Sequence, residues 1–249
     1  MNTSAATHKL AWLFILYIMA GLAVMGQKAS PPLSLDGIAL AIVYDTSGSM
    51  LDQVKDGSGQ MVPKYRIASR ALVAITDRLQ ALAAATTKEK PCPIHSGLIV
   101  FDGDNATAAV KFGPFDPQTL VNWLKTFSHP QGSTPLGEAV RLAGQTVLTP
   151  NLTRKHVLIL TDGVNTRGAD PAAVIPRPVQ SASQRGTAIS FHFVAFDVDA
   201  QAFTRVKKLG ATVVAAADEK QLNTQLEFIL EEKILLEAET PPNAREKKK

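Results

Sequence analysis

The chain has 249 residues, of which 45% are hydrophobic and 19% are charged, so it is long and apolar enough to bury the core of one large domain or two small ones. This composition excludes an intrinsically disordered or a fibrous protein. The net charge of +4 comes from the two ends: without Lys9 and the tail residues 245–249, the chain carries 21 basic and 21 acidic residues. The charge therefore gives no indication of nucleic-acid binding.

An uncharged apolar segment of 17 residues, Leu10 to Gly26, follows Lys9 near the N-terminus. As a helix it would measure about 25 Å, slightly less than the ~30 Å hydrocarbon core of a bilayer. Its length favours a single membrane anchor, whereas the small residues Ala23 and Gly26 suit cleavage of a signal peptide. In either case residues 1–26 predict that the rest of the chain crosses a membrane. We therefore expect a membrane-anchored or secreted protein whose folded part is extracytoplasmic (periplasmic in a bacterium).

After a proline-containing linker over residues 27–35, apolar segments typical of strands alternate with helical patterns. The predicted strands cover residues 37–44, 96–101, 107–112, 156–161, 188–196 and 212–216, and the predicted helices cover residues 63–85, 117–127, 135–148, 172–185, 200–209 and 219–236. This alternation predicts one doubly wound α/β domain over residues 36–236, with a mostly parallel sheet and helices on both faces. Residues 107–112 are predicted to form an antiparallel edge strand, and the basic tail 237–249 is predicted to be disordered.

Oxygen-bearing side chains follow the two most apolar strands of this predicted sheet. In open α/β sheets, ligands bind beyond the carboxyl ends of the strands, so these positions are the candidate site. The candidate ligands are Asp45, Ser47, Ser49, Thr134 and Asp162. Two carboxylates balance the charge of a divalent cation, and hydroxyls add oxygen ligands without further charge, a set that suits Mg²⁺ or Mn²⁺. A coordination position left open would suit a carboxylate of a protein partner.

Each of these segments taken alone also fits ordinary local structure. Asp45 suits an Asx turn, Thr134 followed by Pro135 suits the start of a helix, and Asp162-Gly163 is a frequent turn dipeptide. Their joint occurrence at the ends of two central strands favours a metal site over three unrelated turns.

The segments IVYDTSGSM, GSTPLGEA and LILTDGVN resemble the von Willebrand factor type A domain and its metal-ion-dependent adhesion site. The resemblance covers nearly all of residues 36–236. The family's D-x-S-x-S motif, its threonine and its second aspartate match Asp45, Ser47, Ser49, Thr134 and Asp162. This resemblance implies a Rossmann-like fold, a complete adhesion site holding Mg²⁺ or Mn²⁺, and metal-mediated protein binding. It also implies that the hydroxyls ligate directly or nearly so and that the aspartates often act through water. Ser133 stands where many relatives have glycine.

The expected function is therefore a divalent-cation-dependent adhesion or scaffold module whose metal bridges to an acidic side chain of a partner protein. Residues 52–64 are expected to form an exposed loop beside the site that contributes partner specificity. Two alternatives remain open: a metal-assisted hydrolase, and a structural subunit of an envelope complex whose metal only stabilises the fold. The sequence contains neither a P-loop nor a G-x-S-x-G elbow, so we expect no enzyme of these classes. Cys92 is the single cysteine, which excludes an internal disulfide.

Overall fold

The structure, a computed structural model, describes residues 34–85 and 92–236. The predicted N-terminal hydrophobic helix, the predicted linker up to residue 33 and the tail 237–249 lie outside the described residues. Within the described ranges, no helix combines the length and the apolar character that a bilayer crossing requires.

The described residues form strands and helices in alternation. The strands are β1 (Leu35–Tyr44), β2 (Gln53–Lys55), β3 (Met61–Pro63), β4 (Ile94–Asp102), β5 (Asn105–Pro114), β6 (Leu152–Thr161), β7 (Ser190–Phe196) and β8 (Thr212–Ala216). The helices are α1 (Lys64–Ala85), α2 (Pro117–Thr126), α3 (Leu136–Thr146), α4 (Pro171–Val174), α5 (Pro176–Gln184), α6 (Thr204–Lys208) and α7 (Glu219–Phe228). Two 3₁₀ turns cover Gly48–Leu51 and Ala200–Phe203, and a π-helix covers Ile229–Leu235.

Six strands form one sheet in the order β5-β4-β1-β6-β7-β8. All neighbouring pairs are parallel except β4 and β5, which pair antiparallel at the edge. The predicted mostly parallel sheet and its antiparallel edge strand are confirmed. Because β1 and β6 are central neighbours, the polar residues that follow them emerge side by side at one edge.

Both faces of the sheet are buried, as the continuous apolar run of β1 predicts. Ile38, Leu40 and Ile42 pack into the core under α1, α2 and α7. Ala39 and Ala41 alternate with them and face the core under α3, α4 and α6. Successive side chains of β1 therefore pack against helices on opposite faces of the sheet.

Four predicted segments differ from the structure in detail. The helix predicted over 200–209 is a 3₁₀ turn followed by the short α6. The helix predicted over 172–185 is two short helices, because Pro176 lacks an amide hydrogen and starts a new helix. The last helix ends as an α-helix at Phe228 and continues as the π-helix. The predicted exposed loop over 52–64 contains a two-stranded hairpin, in which β2 and β3 pair antiparallel.

Candidate metal centre

The ends of β1 and β6 bring Asp45 and Asp162 to the same edge of the sheet. The amide of Asp45 donates to the carbonyl oxygen of Leu160 at 3.0 Å, which fixes the register of the two strand ends. Asp45 is 0% exposed and Asp162 is 6% exposed. Two aspartates buried next to each other are costly unless donors or cations surround their oxygens.

Hydrogen bonds connect four of the five predicted ligands. Ser47 donates to Asp45 Oδ1 from its amide at 2.8 Å and from its hydroxyl at 2.5 Å. The Ser49 hydroxyl donates to Asp162 Oδ1 at 2.8 Å. Thr161 donates to Asp45 Oδ2 at 2.6 Å, so a residue that the sequence did not single out orients this carboxylate.

The hydroxyl oxygens of Ser47 and Ser49 face each other. Ser47 Oγ and Ser49 Oγ lie 3.1 Å apart. A hydroxyl has one proton, and with both carboxylates ionised each serine proton is used in a bond to an aspartate. Both oxygens then have lone pairs and no proton left for each other. This arrangement fits a hard cation, which accepts those lone pairs without disturbing the hydrogen bonds to the aspartates.

Backbone hydrogen bonds hold the loop that carries Thr134 against the other two loops. The amide of Gln131 donates to Thr46 O at 2.8 Å, and the amide of Gly48 donates to Gly132 O at 3.2 Å. On the other side, Thr134 donates its amide to Thr166 Oγ1 at 2.9 Å and accepts from the Thr166 amide at 3.0 Å.

The hydroxyl of Thr134 lies beside the turn that follows Asp162. A Cβ atom placed on Gly163 would come 3.8 Å from Thr134 Oγ1. The interpretation of Thr134 as the N-cap of a helix is wrong, because α3 has Pro135 at its N-cap and no side-chain cap. With ψ near 56°, Pro135 lies outside the helix and shifts its start by one residue. Thr134 is 5% exposed, so its hydroxyl is held inside the site and is not used to begin the helix.

Burial sets the protonation of Asp45. Removal from water raises the pKa of its carboxyl to about 6, and the charge of Asp162 adds to the rise, while the bonds from Ser47 and Thr161 oppose it. A nearby cation favours the ionised form of the same group.

One charged residue of this site was missed by sequence reasoning. Lys64, the first residue of α1, places its ammonium 3.1 Å from Asp162 Oδ2 and 2.9 Å from Asp197 Oδ2. Burial opposes the charged form, but the bonds to Asp197 and Asp162 outweigh it and raise the pKa of Lys64. A lysine at the end of a polar hairpin is normally exposed, so no local signal marked it.

The donor set fits a small oxygen-loving dication. Two carboxylates and three hydroxyls match the preference of Mg²⁺ and Mn²⁺ for oxygen, whereas a zinc site usually has cysteine or histidine ligands. Across residues 34–85 and 92–236, no three His, Cys, Asp or Glu side chains form a metal-binding group. Any cation held here therefore depends on hydroxyl ligands.

Comparison with known proteins identifies the family of the domain. The model of the von Willebrand factor type A domain family matches residues 39–228. No curated protein sequence matches the chain.

Three solved structures show the same fold. The von Willebrand factor domain of a type V pilus tip protein from Porphyromonas gingivalis is 12% identical, with a TM-score of 0.58, over 80% of this chain and 95% of that chain. An aerotolerance-related membrane protein from Bacteroides fragilis is 19% identical, with a TM-score of 0.54, over 79% of this chain and 98% of that chain. Proximal thread matrix protein 1 from the mussel byssus, with a zinc-occupied adhesion site, is 14% identical, with a TM-score of 0.56, over 79% of this chain and 48% of that chain.

The family match covers most of the domain predicted from the sequence, and its span contains all five candidate ligands. The chain therefore belongs to the von Willebrand factor type A domain family.

Proposed function

We propose that this domain is a divalent-cation-dependent protein-binding module, with an adhesion or scaffold role and no catalytic one. Asp45, Ser47, Ser49, Thr134 and Asp162 would hold one Mg²⁺ or Mn²⁺. The cation would supply a Lewis-acidic position for a carboxylate of a partner protein. The protein residues orient the donors and keep the negative charge of the two aspartates close together.

The observation that carries this proposal is the contact between Ser47 Oγ and Ser49 Oγ, 3.1 Å apart, each already bonded to an aspartate. Neither hydroxyl has a proton left for the other when both aspartates are ionised. Here the lone pairs converge, and Ser49 is exposed at the surface where a partner can reach it.

Apolar side chains beside the site support a protein partner. Leu51 and Val164 are each two residues from a proposed ligand, and they are 51% and 48% exposed. Protein interfaces bury apolar side chains, so exposed apolar residues near the proposed ligands offer contact area to a protein partner.

The names of the similar structures agree with a role in attachment. One is a pilus tip protein, one a membrane protein and one a matrix protein of mussel threads. Together with the apolar segment over residues 10–26, they support an exported domain that is either anchored or released by signal cleavage. Intact mass spectrometry of the protein isolated from the membrane and soluble fractions of its native cells separates the two cases, because cleavage removes about the first 26 residues. An intact, non-membrane cytoplasmic form would contradict export.

Calorimetric titration with Mg²⁺ and Mn²⁺ tests the proposal. We expect one binding site in the wild type and an affinity lower by about tenfold or more in Ser49→Ala, because this change removes one ligand oxygen. Ser133→Ala is the matched control. Its hydroxyl lies in the loop that carries Thr134 but bonds to Gly103 O and Asp104 Oδ1, each at 3.1 Å, and to none of the five proposed ligands, so its loss should leave the affinity unchanged.

Equal cation affinity in Ser49→Ala and the wild type would contradict this assignment. Metal-dependent turnover of phosphate or carboxylic esters that Asp162→Ala abolishes would replace the binding role by a hydrolytic one.

A further inference from the structure

Lys64 introduces a fixed positive charge into the candidate metal site. Its side chain is 6% exposed, and its ammonium lies 3.1 Å from Asp162, 2.9 Å from Asp197 and 3.8 Å from Asp52. Lysine is almost never buried to this degree unless it is paired. Its backbone is also fixed, because the Lys64 amide donates to Asp52 O at 2.9 Å.

The three aspartates around Lys64 differ in their contact with water. The side chains of Asp52 and Asp197 are 70% and 43% exposed, so both carboxylates stay partly hydrated, whereas the side chain of Asp162 is 0% exposed. Asp197 also has a φ of 54°, the only positive value at a non-glycine position in the described part of the chain. Asp197 directly follows β7, so its bond to Lys64 joins the end of this strand to the start of α1.

The buried charges of the site can be counted in each state. Asp45 and Asp162 contribute two negative charges when ionised, and Lys64 contributes one positive charge. A dication changes this buried group from one net negative charge to one net positive charge. One partner carboxylate then makes it neutral. Without Lys64, the dication alone would neutralise the two aspartates, and a further carboxylate would leave an excess negative charge.

We propose that Lys64 is a built-in counter-ion that weakens the binding of a dication alone and makes the dication and a partner carboxylate bind cooperatively. In the metal-free protein, the Lys64 ammonium balances Asp162 and keeps the two aspartates together. With the dication bound, the charge of Lys64 gives the buried group one net positive charge, which favours the binding of one anionic ligand. This inference rests on the proposed function and specifies how cation and partner depend on each other.

The test is a set of Mn²⁺ titrations of the full-length protein, with free Mn²⁺ read by electron paramagnetic resonance. Each titration is made in sodium chloride and in sodium acetate of equal ionic strength. In the wild type, acetate should lower the Mn²⁺ dissociation constant by about fivefold or more. In Lys64→Met, the dissociation constant in chloride should be about tenfold lower than in the wild type, because the repelling charge is gone. The effect of acetate should then fall below about twofold.

Two further variants control for charge and for folding. Lys64→Arg keeps the charge and should behave as the wild type. Lys64→Gln removes the charge but keeps a hydrogen-bond donor for Asp162, so it repeats the test if the methionine variant does not fold. Unchanged or weaker Mn²⁺ binding in the neutral variants, or an undiminished effect of acetate, would overturn the inference.

A thermal melt in EDTA separates this inference from the proposed function. Lys64→Gln should lower the melting temperature by about 5 °C or more, and this loss should shrink when Asp162→Asn is also present. A loss of the same size with and without Asp162→Asn would overturn the counter-ion role. Failure of the wild type to bind Mn²⁺ would instead refute the proposed function, whatever the melts show.

Discussion

Replacing Asp45 by asparagine is expected to stabilise the metal-free protein at pH 7.5 and to abolish its stabilisation by Mg²⁺ and Mn²⁺. The carboxylate is 0% exposed and lies near the charge of Asp162, which raises its pKa to about 6. Keeping it ionised at pH 7.5 therefore costs free energy of folding, about 1–3 kcal/mol. Asparagine removes this cost and also removes a charge that the cation needs.

The hydrogen bonds around position 45 allow this substitution. An asparagine oxygen can accept from the Ser47 amide and hydroxyl as the carboxylate does. Its NH₂ group faces Thr161, whose hydroxyl has a second acceptor in Gly163 O at 3.0 Å and can turn its proton there. One amide hydrogen of the asparagine can then donate to Thr161 Oγ1, and the Thr161 hydroxyl keeps an acceptor.

The pH dependence has a definite sign. The folded-state pKa of Asp45 is raised from 3.8 to about 6, so the folded state takes up the proton before the unfolded state does. In EDTA, the unfolding free energy of the wild type should therefore rise, relative to that of Asp45→Asn, as the pH falls from 7.5 through 6 toward 4. With saturating Mn²⁺ the trend should reverse, because protonation then competes with the cation.

Denaturant unfolding at several pH values, with EDTA or Mn²⁺, measures these differences. Asp116→Asn is the matched control. Asp116 is the exposed N-cap of α2, and asparagine caps helices equally well, so both stability and metal response should stay close to those of the wild type. A metal-free Asp45→Asn protein that is less stable than the wild type at pH 7.5 would contradict the assigned cost of this buried charge.

Replacing Gly137 by alanine is expected to destabilise the protein by about 3 kcal/mol or more. A Cβ atom at this position would lie 1.8 Å from the carbonyl oxygen of Ala169, which is backbone and cannot rotate away. The amide of Gly137 also donates to Asn165 Oδ1 at 3.0 Å. The start of α3 is therefore docked directly on the loop that follows Asp162. Displacing this loop should also weaken Mn²⁺ binding, because Thr134 is bonded to the same loop through Thr166.

Urea unfolding and Mn²⁺ calorimetry measure both effects. Gly113→Ala is the control, because a Cβ atom there meets no atom within 4 Å, and its change should stay within about 0.5 kcal/mol. Equal stability of the two alanine variants would show that α3 and the loop after Asp162 are not packed as described.

Much of the fold was predictable because its signals are local. β1 and β6 read as continuous apolar runs, which identifies central strands, and a polar residue ends each run. Two predicted segments were wrong for physical reasons. The apolar pattern over 172–185 predicted one helix, which Pro176 divides into two. The strands β2 and β3 are too short and too polar for the sequence to indicate a hairpin.

The candidate ligands were predictable because parallel strands end at one edge, which places Asp45 and Asp162 together. The roles of Thr161 and Thr166 as positioning residues depend on contacts across the fold. Lys64 was missed for a related reason. Its pairing with Asp197, a strand-end residue that the sequence assigns to a turn, joins positions 133 residues apart in sequence.

Anomalous diffraction from crystals grown with Mn²⁺ tests the central claim most directly. We predict one manganese peak enclosed by the five side chains, about 2.0–2.6 Å from Ser47 Oγ and Ser49 Oγ. The same peak should be absent from Asp45→Asn crystals. No peak at this position in crystals saturated with Mn²⁺, or a peak held by other residues, would contradict the assignment of this edge of the sheet as a metal site.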